Sequence, residues 1–396
     1  MGGFQENYID DSVDYEHFGT HMCLIFVSAV RFLSGAVFYA RLRGMKRILL
    51  ISVLLCSGLA SCSLYTHARA HEMAVAPAVA AAPVARNVVL MIGDGMGAEH
   101  VAAAWLCNRG KLNIAGLPVT GFSVTTSASH TITDSAAGGT AIACGCKAIN
   151  GQLGLDATGK SVDSLAVQMR QAGKSTGIVV TKSVTDATPA AFYAHVKSRH
   201  DTSAIASALV DAGFDVVAGG GAGDFSAEQK AALQKKCCWV ELAAQGNCPK
   251  VSERGEWLPR AVRRALDEME NDPDGLFLMV EGSKIDHEAH ANDLPEVVQE
   301  TLDFDKAVGV VLEWMKQHPD TLLVVTADHQ TGGLSLLGGD KEKGEVKGHF
   351  STFRHSGVSV PVYAAGAGAA AFSGVAENTE IAPRIRRAAG LHTAKN

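Results

Sequence analysis

No Cys-x-x-Cys pair occurs among the nine cysteines of this chain, so thiolate zinc binding lacks its usual spacing. Aromatic residues are scarce, at 6%, while hydrophobic residues reach 47% and glycines number 41. That balance argues against disorder and suits Ala/Val/Leu-rich strands joined by tight glycine turns. Excess positive charge is missing too. The net charge is -6, which gives no long-range pull on nucleic acid or anionic membranes. An anionic substrate would therefore need a local positive field, from metal ions or a few Arg and Lys. No internal repeat is present, and no Gly-x-Ser-x-Gly elbow surrounds Ser135, which speaks against an α/β-hydrolase triad there. The 396 residues suffice for one large α/β domain or two ordinary ones.

The N-terminal part reads differently from the rest. Met45-Lys46-Arg47 precedes the apolar run Ile48–Leu55, and Leu59-Ala60-Ser61-Cys62 follows. A basic segment, a short apolar segment and small residues make a signal peptide over 45–62. Its end resembles a bacterial lipobox, with Cys62 as the lipidated first residue of an exported, periplasmic or outer-membrane protein. Cleavage after Ala68-Arg69-Ala70 and an uncleaved anchor are the alternatives. Residues 1–44 hold a second apolar stretch, Cys23–Tyr39, interrupted by Arg31 and a poor match for a spanning helix. The expectation is that translation starts at Met45 and that 1–44 is a non-native or disordered extension. Residues 63–85 read as an Ala/Pro-rich tether, leaving 86–396 as one folded domain. Export permits disulfides; Cys237/Cys238 and Cys248 flank a polar loop where one bridge is expected.

From Arg86 onward, short apolar runs alternate with helical patterns. Asn87–Ile92, Gly177–Thr181, Asp215–Ala218, Leu276–Val280, Leu322–Thr326 and Val360–Ala364 read as buried strands. Helices are expected over Ser161–Ala172, Ala204–Ala212, Ala227–Lys235 and Val297–Gln317. This alternation predicts an α/β fold, a three-layer α/β/α sandwich around a large, mainly parallel sheet. Polar residues cluster just after the apolar runs: Asp94, then Asp186 and Thr188, then Glu281 and Asp286, then Asp328 and His329. Ligands of open α/β sheets bind outside the carboxyl ends of the strands, so one set of strand ends could gather all of these groups.

Each segment has a plainer reading when taken alone. Asp94 in Ile92-Gly93-Asp94-Gly95 could approach a cation closely between its glycines, yet Asp-Gly is also turn chemistry. Ser135, in Thr133-Asp134-Ser135-Ala136-Ala137-Gly138-Gly139, could open a helix whose N-terminus suits phosphate; alternatively Asp134 or Ser135 merely caps it. Glu281, Asp286, His287 and His290 fall within ten residues. On a helix, Asp286 and His290 share one face, and mixed Asp/His ligation suits zinc; a capped acidic helix is the alternative. Asp328-His329 repeats the theme in what could be a surface turn. His355 and Arg199, alone, read as ordinary loop and surface residues.

Together the segments IGDGMG, TDSAAGGTA, DATPAAFYAHVKSR, VEGSKIDHEAH, TADHQTGG and RHSGVSVPVYA resemble the alkaline phosphatase family in order and spacing, from about Asn87 to Ala382. The resemblance implies an exported phosphomonoesterase using two zinc ions and one magnesium ion. Asp286, His290 and His355 would hold the first zinc; Asp94, Asp328 and His329 the second. Glu281, Thr188 and the bridging Asp94 would hold magnesium. Ser135 would be the nucleophile, forming a phosphoserine, with Arg199 clamping the phosphate through its planar fork. Counting these charges leaves the site about +2, which a phosphomonoester dianion neutralises and a diester monoanion does not. Asp186 and His287 depart from the family's commoner pairs, which puts the third metal in question; Asp186 is expected to hold magnesium-bound water. Small phosphate monoesters and inorganic phosphate are the implied partners, with the chain a monomer or homodimer and membrane contact only through the lipid. A phosphodiesterase of the same superfamily is the rival, and a sulfatase is disfavoured because Ser135 lacks a Cys/Ser-x-Pro-x-Arg context. A non-catalytic phosphate- or metal-binding lipoprotein would need one of these groups to be missing.

Overall fold

Apolar runs that alternate toward two faces become the strands of one sheet, because burying both faces is the only way to remove them from water. The computed structural model describes residues 84–391. The expected extension over 1–44, the signal peptide at 45–62 with Cys62, and the tether to residue 83 lie outside the described residues. In chain order the strands are β1 (Asn87–Ile92), β2 (Val119–Val124), β3 (Ser175–Ser183), β4 (Val216–Gly220), β5 (Trp239–Leu242), β6 (Leu276–Glu281) and β7 (Thr321–Thr326). They continue with β8 (Gln330–Thr331), β9 (Leu334–Asp340), β10 (Glu345–Phe350), β11 (His355–Ser356), β12 (Val360–Gly366) and β13 (Gly374–Glu377). Nine of them form one sheet in the order β13-β2-β12-β7-β1-β6-β3-β4-β5. Every neighbouring pair is parallel except those made by β12, which runs against β7 and β2.

Helices cover both faces. They are α1 (Ala98–Cys107), α2 (Ser135–Cys144), α3 (Leu165–Gln171), α4 (Ala187–Ala190), α5 (Thr202–Ala212), α6 (Ala227–Lys236), α7 (Val251–Arg254), α8 (Trp257–Met269), α9 (Lys284–His290), α10 (Leu294–Met315) and α11 (Ile381–Ala388). Successive residues of β1 point to opposite faces. Val88, Leu90 and Ile92 enter a core with Ile142 of α2, Leu165 of α3, Ile205 of α5 and Ile385 of α11. Val89 and Met91 enter the other, with Leu258 and Leu266 of α8 and Phe304 and Val311 of α10. Two cores on one sheet make the expected three-layer α/β/α sandwich.

Capping chemistry moves several helix ends from where apolar periodicity puts them. The helix expected from Ser161 begins at Leu165, because the Ser164 hydroxyl accepts the Val167 N–H while Ser161 forms a bridge with Leu155. α10 starts earlier than Val297, at Leu294, with Asp293 accepting from the Glu296 N–H. The partly exposed strands β2, β5 and β13 and the β9–β10 hairpin escape the sequence reading because they lack a continuous apolar run. One expectation is corrected: the six cysteines of the described region are free thiols. Cys238 enters β5 with its N–H on the Asp215 carbonyl, just ahead of β4. Cys248 follows β5 and is buried with Sγ 4.0 Å from the Val180 carbonyl oxygen. The two lie at opposite ends of a strand, about 3.3 Å per residue, too far for a bridge.

Candidate active site

The sheet order makes the site. β1 lies between β7 and β6, and β3 flanks β6, all parallel, so their carboxyl ends open on one edge. Asp94 follows β1; Asp186 and Thr188 follow β3; Glu281 ends β6 and Asp286 and His290 ride on α9; Asp328 and His329 follow β7. β11 pairs with β8 so that His355 lies opposite Thr331, which returns a distant segment to the same place. Ser135 opens α2, whose approach needs a bare backbone: a Cβ on Gly138 would lie 2.9 Å from the Asp328 carbonyl oxygen.

Two triads of acceptors result, Asp286/His290/His355 and Asp94/Asp328/His329, each with ligand atoms within 4.8 Å of one another. Their tautomers follow from hydrogen bonds. His290 Nδ1 donates to the Phe353 carbonyl at 2.7 Å and His355 Nδ1 to the Thr133 carbonyl at 2.9 Å. With the imidazoles neutral, both Nε2 atoms are lone pairs that face each other at 3.2 Å; the Asp286 carboxylate, with Oδ1 3.2 Å from His290 Nε2, favours a proton on His290 until a cation takes that place. Thr331 joins the triads: its hydroxyl donates to Asp286 Oδ1 at 2.6 Å and accepts from His329 Nδ1 at 3.2 Å. His329 Nε2 is then also a lone pair, 3.1 Å from Asp328 Oδ2, 3.4 Å from Asp94 Oδ1 and 3.1 Å from Ser135 Oγ. Acceptors facing acceptors at such distances call for a cation between them, and the mixed N/O donor sets suit zinc.

A third group of oxygens lacks hydrogen bonds. Both oxygens of Asp94 and of Glu281, Thr188 Oγ1 and Asp328 Oδ2 are buried without a hydrogen bond, which costs free energy unless an ion supplies the contact. Oxygen-only donors at Asp94, Thr188 and Glu281 suit magnesium. The electrostatics agree. Burial, then Asp286 and Asp328, push the Asp94 carboxyl well above the usual range; burial, then Asp186, do the same to Glu281. Burial lifts Asp328 to about 7. Burial also opposes charge on Asp286, but Lys182 and the hydrogen bond with His290 bring it well below the ordinary range. Burial holds the His329 and His355 imidazoles low, so both stay neutral, as ligands must.

Asp134 and Arg199 frame the nucleophile. Asp134 Oδ1 accepts from the Ala137 N–H at 3.0 Å, and Oδ2 from the Gly151 N–H at 2.9 Å. Asp134 Oδ2 also lies 3.5 Å from Arg199 Nη1, while Arg199 Nη2 donates to Asp186 Oδ1 at 3.2 Å. Asp186 Oδ1 also accepts from the Ala187 N–H. His287 is exposed on the rim. A cleft of about 470 Å³ lined by Lys182, Asp186, Arg199, Asp286, His287 and His290 leads to the triads. The two triads, Ser135, Asp134, Arg199 and Asp186 are linked by these contacts, Glu281 lies close enough to influence Asp94, and Thr188 is buried just after Asp186. The sequence reading missed two. Thr331 stands inside a segment already singled out, TADHQTGG, but nothing in the sequence sets it apart there. Lys182 reaches the triads from the end of β3; burial works against its charge, but Asp94, Asp286 and Asp186 hold its ammonium form far into the alkaline range.

The alkaline phosphatase family model matches residues 85–246 and 242–351. Alkaline phosphatase 4 of Bacillus subtilis is 36% identical over 295 residues, covering 65% of this chain and 64% of that protein. Escherichia coli alkaline phosphatase is 30% identical over 330 residues, covering 62% of this chain and 70% of it. The chain thus spans just under two thirds of the length of the Bacillus subtilis relatives, 64% of one and 62% of alkaline phosphatase 3. Among solved structures, alkaline phosphatase from the Antarctic bacterium TAB5 superposes with a TM-score of 0.74 at 31% identity, covering 79% of this chain and 100% of that one. A variant of the TAB5 protein has Mg bound in its M3 site. Motifs, sheet, ligand triads and relatives agree, and the chain belongs to the alkaline phosphatase family.

Proposed function

We propose that this chain is an exported, metal-dependent phosphomonoesterase that hydrolyses small phosphate monoesters through a phosphoserine at Ser135 and releases inorganic phosphate. The observation that carries the reading is the position of Ser135: its Oγ lies 3.1 Å from His329 Nε2, at the N-terminus of α2 and beside the Asp94/Asp328/His329 triad. Two zinc ions in the triads and one magnesium ion at Asp94, Thr188 and Glu281 would supply Lewis-acid stabilisation of oxygen charge.

The chain's own groups do the rest. Free N–H groups and the dipole at the start of α2 favour a phosphoryl group on Ser135. Asp134 fixes that first turn and, through Arg199, the clamp on the phosphate oxygens. Ser135 Oγ attacks phosphorus, the ester P–O bond breaks and the leaving alcohol departs; water then cleaves the phosphoserine P–O bond, restoring the hydroxyl. Export as a lipoprotein anchored at Cys62 belongs to the same proposal, with residues 86–396 as the single catalytic domain and a monomer or homodimer as the working form. Its support is the sequence over 45–62. Acyl mass on Cys62, read by mass spectrometry of the membrane fraction, tests it; a soluble protein without that mass refutes it.

Turnover of p-nitrophenyl phosphate at mildly alkaline pH tests the chemistry. Activity should vanish with EDTA, return with zinc and magnesium, and exceed turnover of the bis-ester. A folded, zinc-loaded protein that turns over only the diester would overturn the monoesterase reading.

A further inference from the structure

β3 delivers a cation to the same strand ends that deliver the ligands. Lys182 is 8% exposed, and its Nζ lies 3.3 Å from Asp286 Oδ2, 3.5 Å from Asp186 Oδ2 and 3.7 Å from Asp94 Oδ2. It touches one carboxylate of each triad, and in each it faces the oxygen that the histidines do not use. Asp286 gives Oδ1 to His290 and Thr331; Asp94 turns Oδ1 toward His329. The Asp94 oxygen left for a cation shared with Thr188 and Glu281 is thus Oδ2, the one the ammonium faces. Asp186 is engaged as well, by Lys182 at Oδ2 and by Arg199 at Oδ1. Neither of its oxygens is free to steady an ion's water without giving up one of these cations.

We propose that Lys182 is a positioning residue that competes with the third cation for Asp94 Oδ2 and Asp186, so that this chain holds magnesium weakly and keeps its carboxylates balanced without it. The inference rests on the assignment of the third cation to Asp94, Thr188 and Glu281. A lysine ammonium is a compact point charge with three donors; here it donates to Asp286 Oδ2 and lies as a charge beside Asp186 and Asp94. A fixed positive charge a few ångströms from a dication opposes its binding by electrostatic repulsion that partial burial strengthens. Arginine at the same place would keep the charge; methionine would keep the stem and remove it.

The test is Mg²⁺ affinity of the zinc-loaded protein, by equilibrium dialysis with elemental analysis, for wild type, Lys182→Met and Lys182→Arg. Lys182→Met should bind Mg²⁺ roughly tenfold more tightly, and Lys182→Arg should stay close to wild type. Adding Glu281→Gln to Lys182→Met should remove the gain, tying it to the third site. Should Lys182→Met fail to fold, Lys182→Gln carries the same comparison. Unchanged Mg²⁺ affinity in a folded, charge-free variant overturns the proposal, as does a gain that survives Glu281→Gln. Because no turnover is read, an absence of phosphatase activity would sink the functional reading and leave this measurement standing.

Discussion

Two groups of buried carboxylates are treated in opposite ways by this molecule. On α10, Glu300 and Asp303 meet Arg254 of α7: Nη1 lies 2.9 Å from Glu300 Oε1, and Nη2 lies 2.6 Å from Glu300 Oε2 and 2.7 Å from Asp303 Oδ2. The Val251 N–H adds a further bond to Glu300. At the strand ends, Asp94, Glu281 and Asp328 are as deeply buried, yet five of their six oxygens have no hydrogen bond. The fold places an arginine in hydrogen-bond contact with one acidic pair and gives the other only the Lys182 ammonium, 3.7 Å from Asp94 Oδ2. The difference separates a structural ion pair from a cation site, and it is visible without any ion.

The largest effect expected is on chemistry: Ser135→Ala should lower phosphomonoester turnover by about 10³-fold or more, with the fold unchanged by circular dichroism. Next comes the arginine-bound pair. Glu300→Ala leaves Arg254 buried without its bidentate partner and should cost about 3–5 kcal/mol in urea unfolding, whether or not metal is present. The starved cluster should behave in reverse. Asp328→Asn should stabilise the EDTA-stripped protein at pH 8, by roughly 1–3 kcal/mol, while abolishing zinc retention at that triad. A destabilised stripped variant would erase the contrast between the two clusters.

The pH dependence of the stripped protein sharpens the same contrast. Folding raises the Asp328 carboxyl from 3.8 to about 7, so between those values the folded form holds a proton that the unfolded chain has lost. Its contribution is therefore greatest at acid pH and falls as pH rises through about 7. Thermal melts of the stripped protein should drop over that window, and zinc and magnesium should flatten the curve. The smallest effect should come from Thr331→Val, which removes the bridge between Asp286 and His329. It should cost about 1 kcal/mol of stability and a several-fold loss in zinc affinity, measured by competition with a chelator, in line with the role of groups that orient ligands.

Much of this was legible because the buried strands advertise themselves. Asn87–Ile92 is apolar after its first residue and forms β1 with those bounds, and the ligand groups other than His355 stand at or just past such runs. What stayed hidden needs three-dimensional information. Lys182 interrupts the strand sequence Val179-Val180-Thr181-Lys182 and reads as a solvated residue, since nothing local says that three carboxylates surround it. The cysteine bridge failed for a related reason: closeness in sequence across a short strand is distance in space. Helix starts at Leu165 and Leu294 depended on Ser164 and Asp293, capping residues that apolar periodicity ignores. The role of Thr331 emerges only when α9 brings Asp286 against it, and that of His355 only when β8 and β11 pair.

That pairing carries a consequence for the order in which the chain comes together. His355 hydrogen-bonds the Thr133 carbonyl across 222 residues of sequence, and Ser135 Oγ meets His329 across 194. Contacts of such separation form late, since loop closure must be met before they reward the chain. A growing or partly folded molecule therefore has no complete first triad until the segment beyond β10 has docked. Tight metal capture becomes a proof of completed folding, a checkpoint written into the connectivity of the chain.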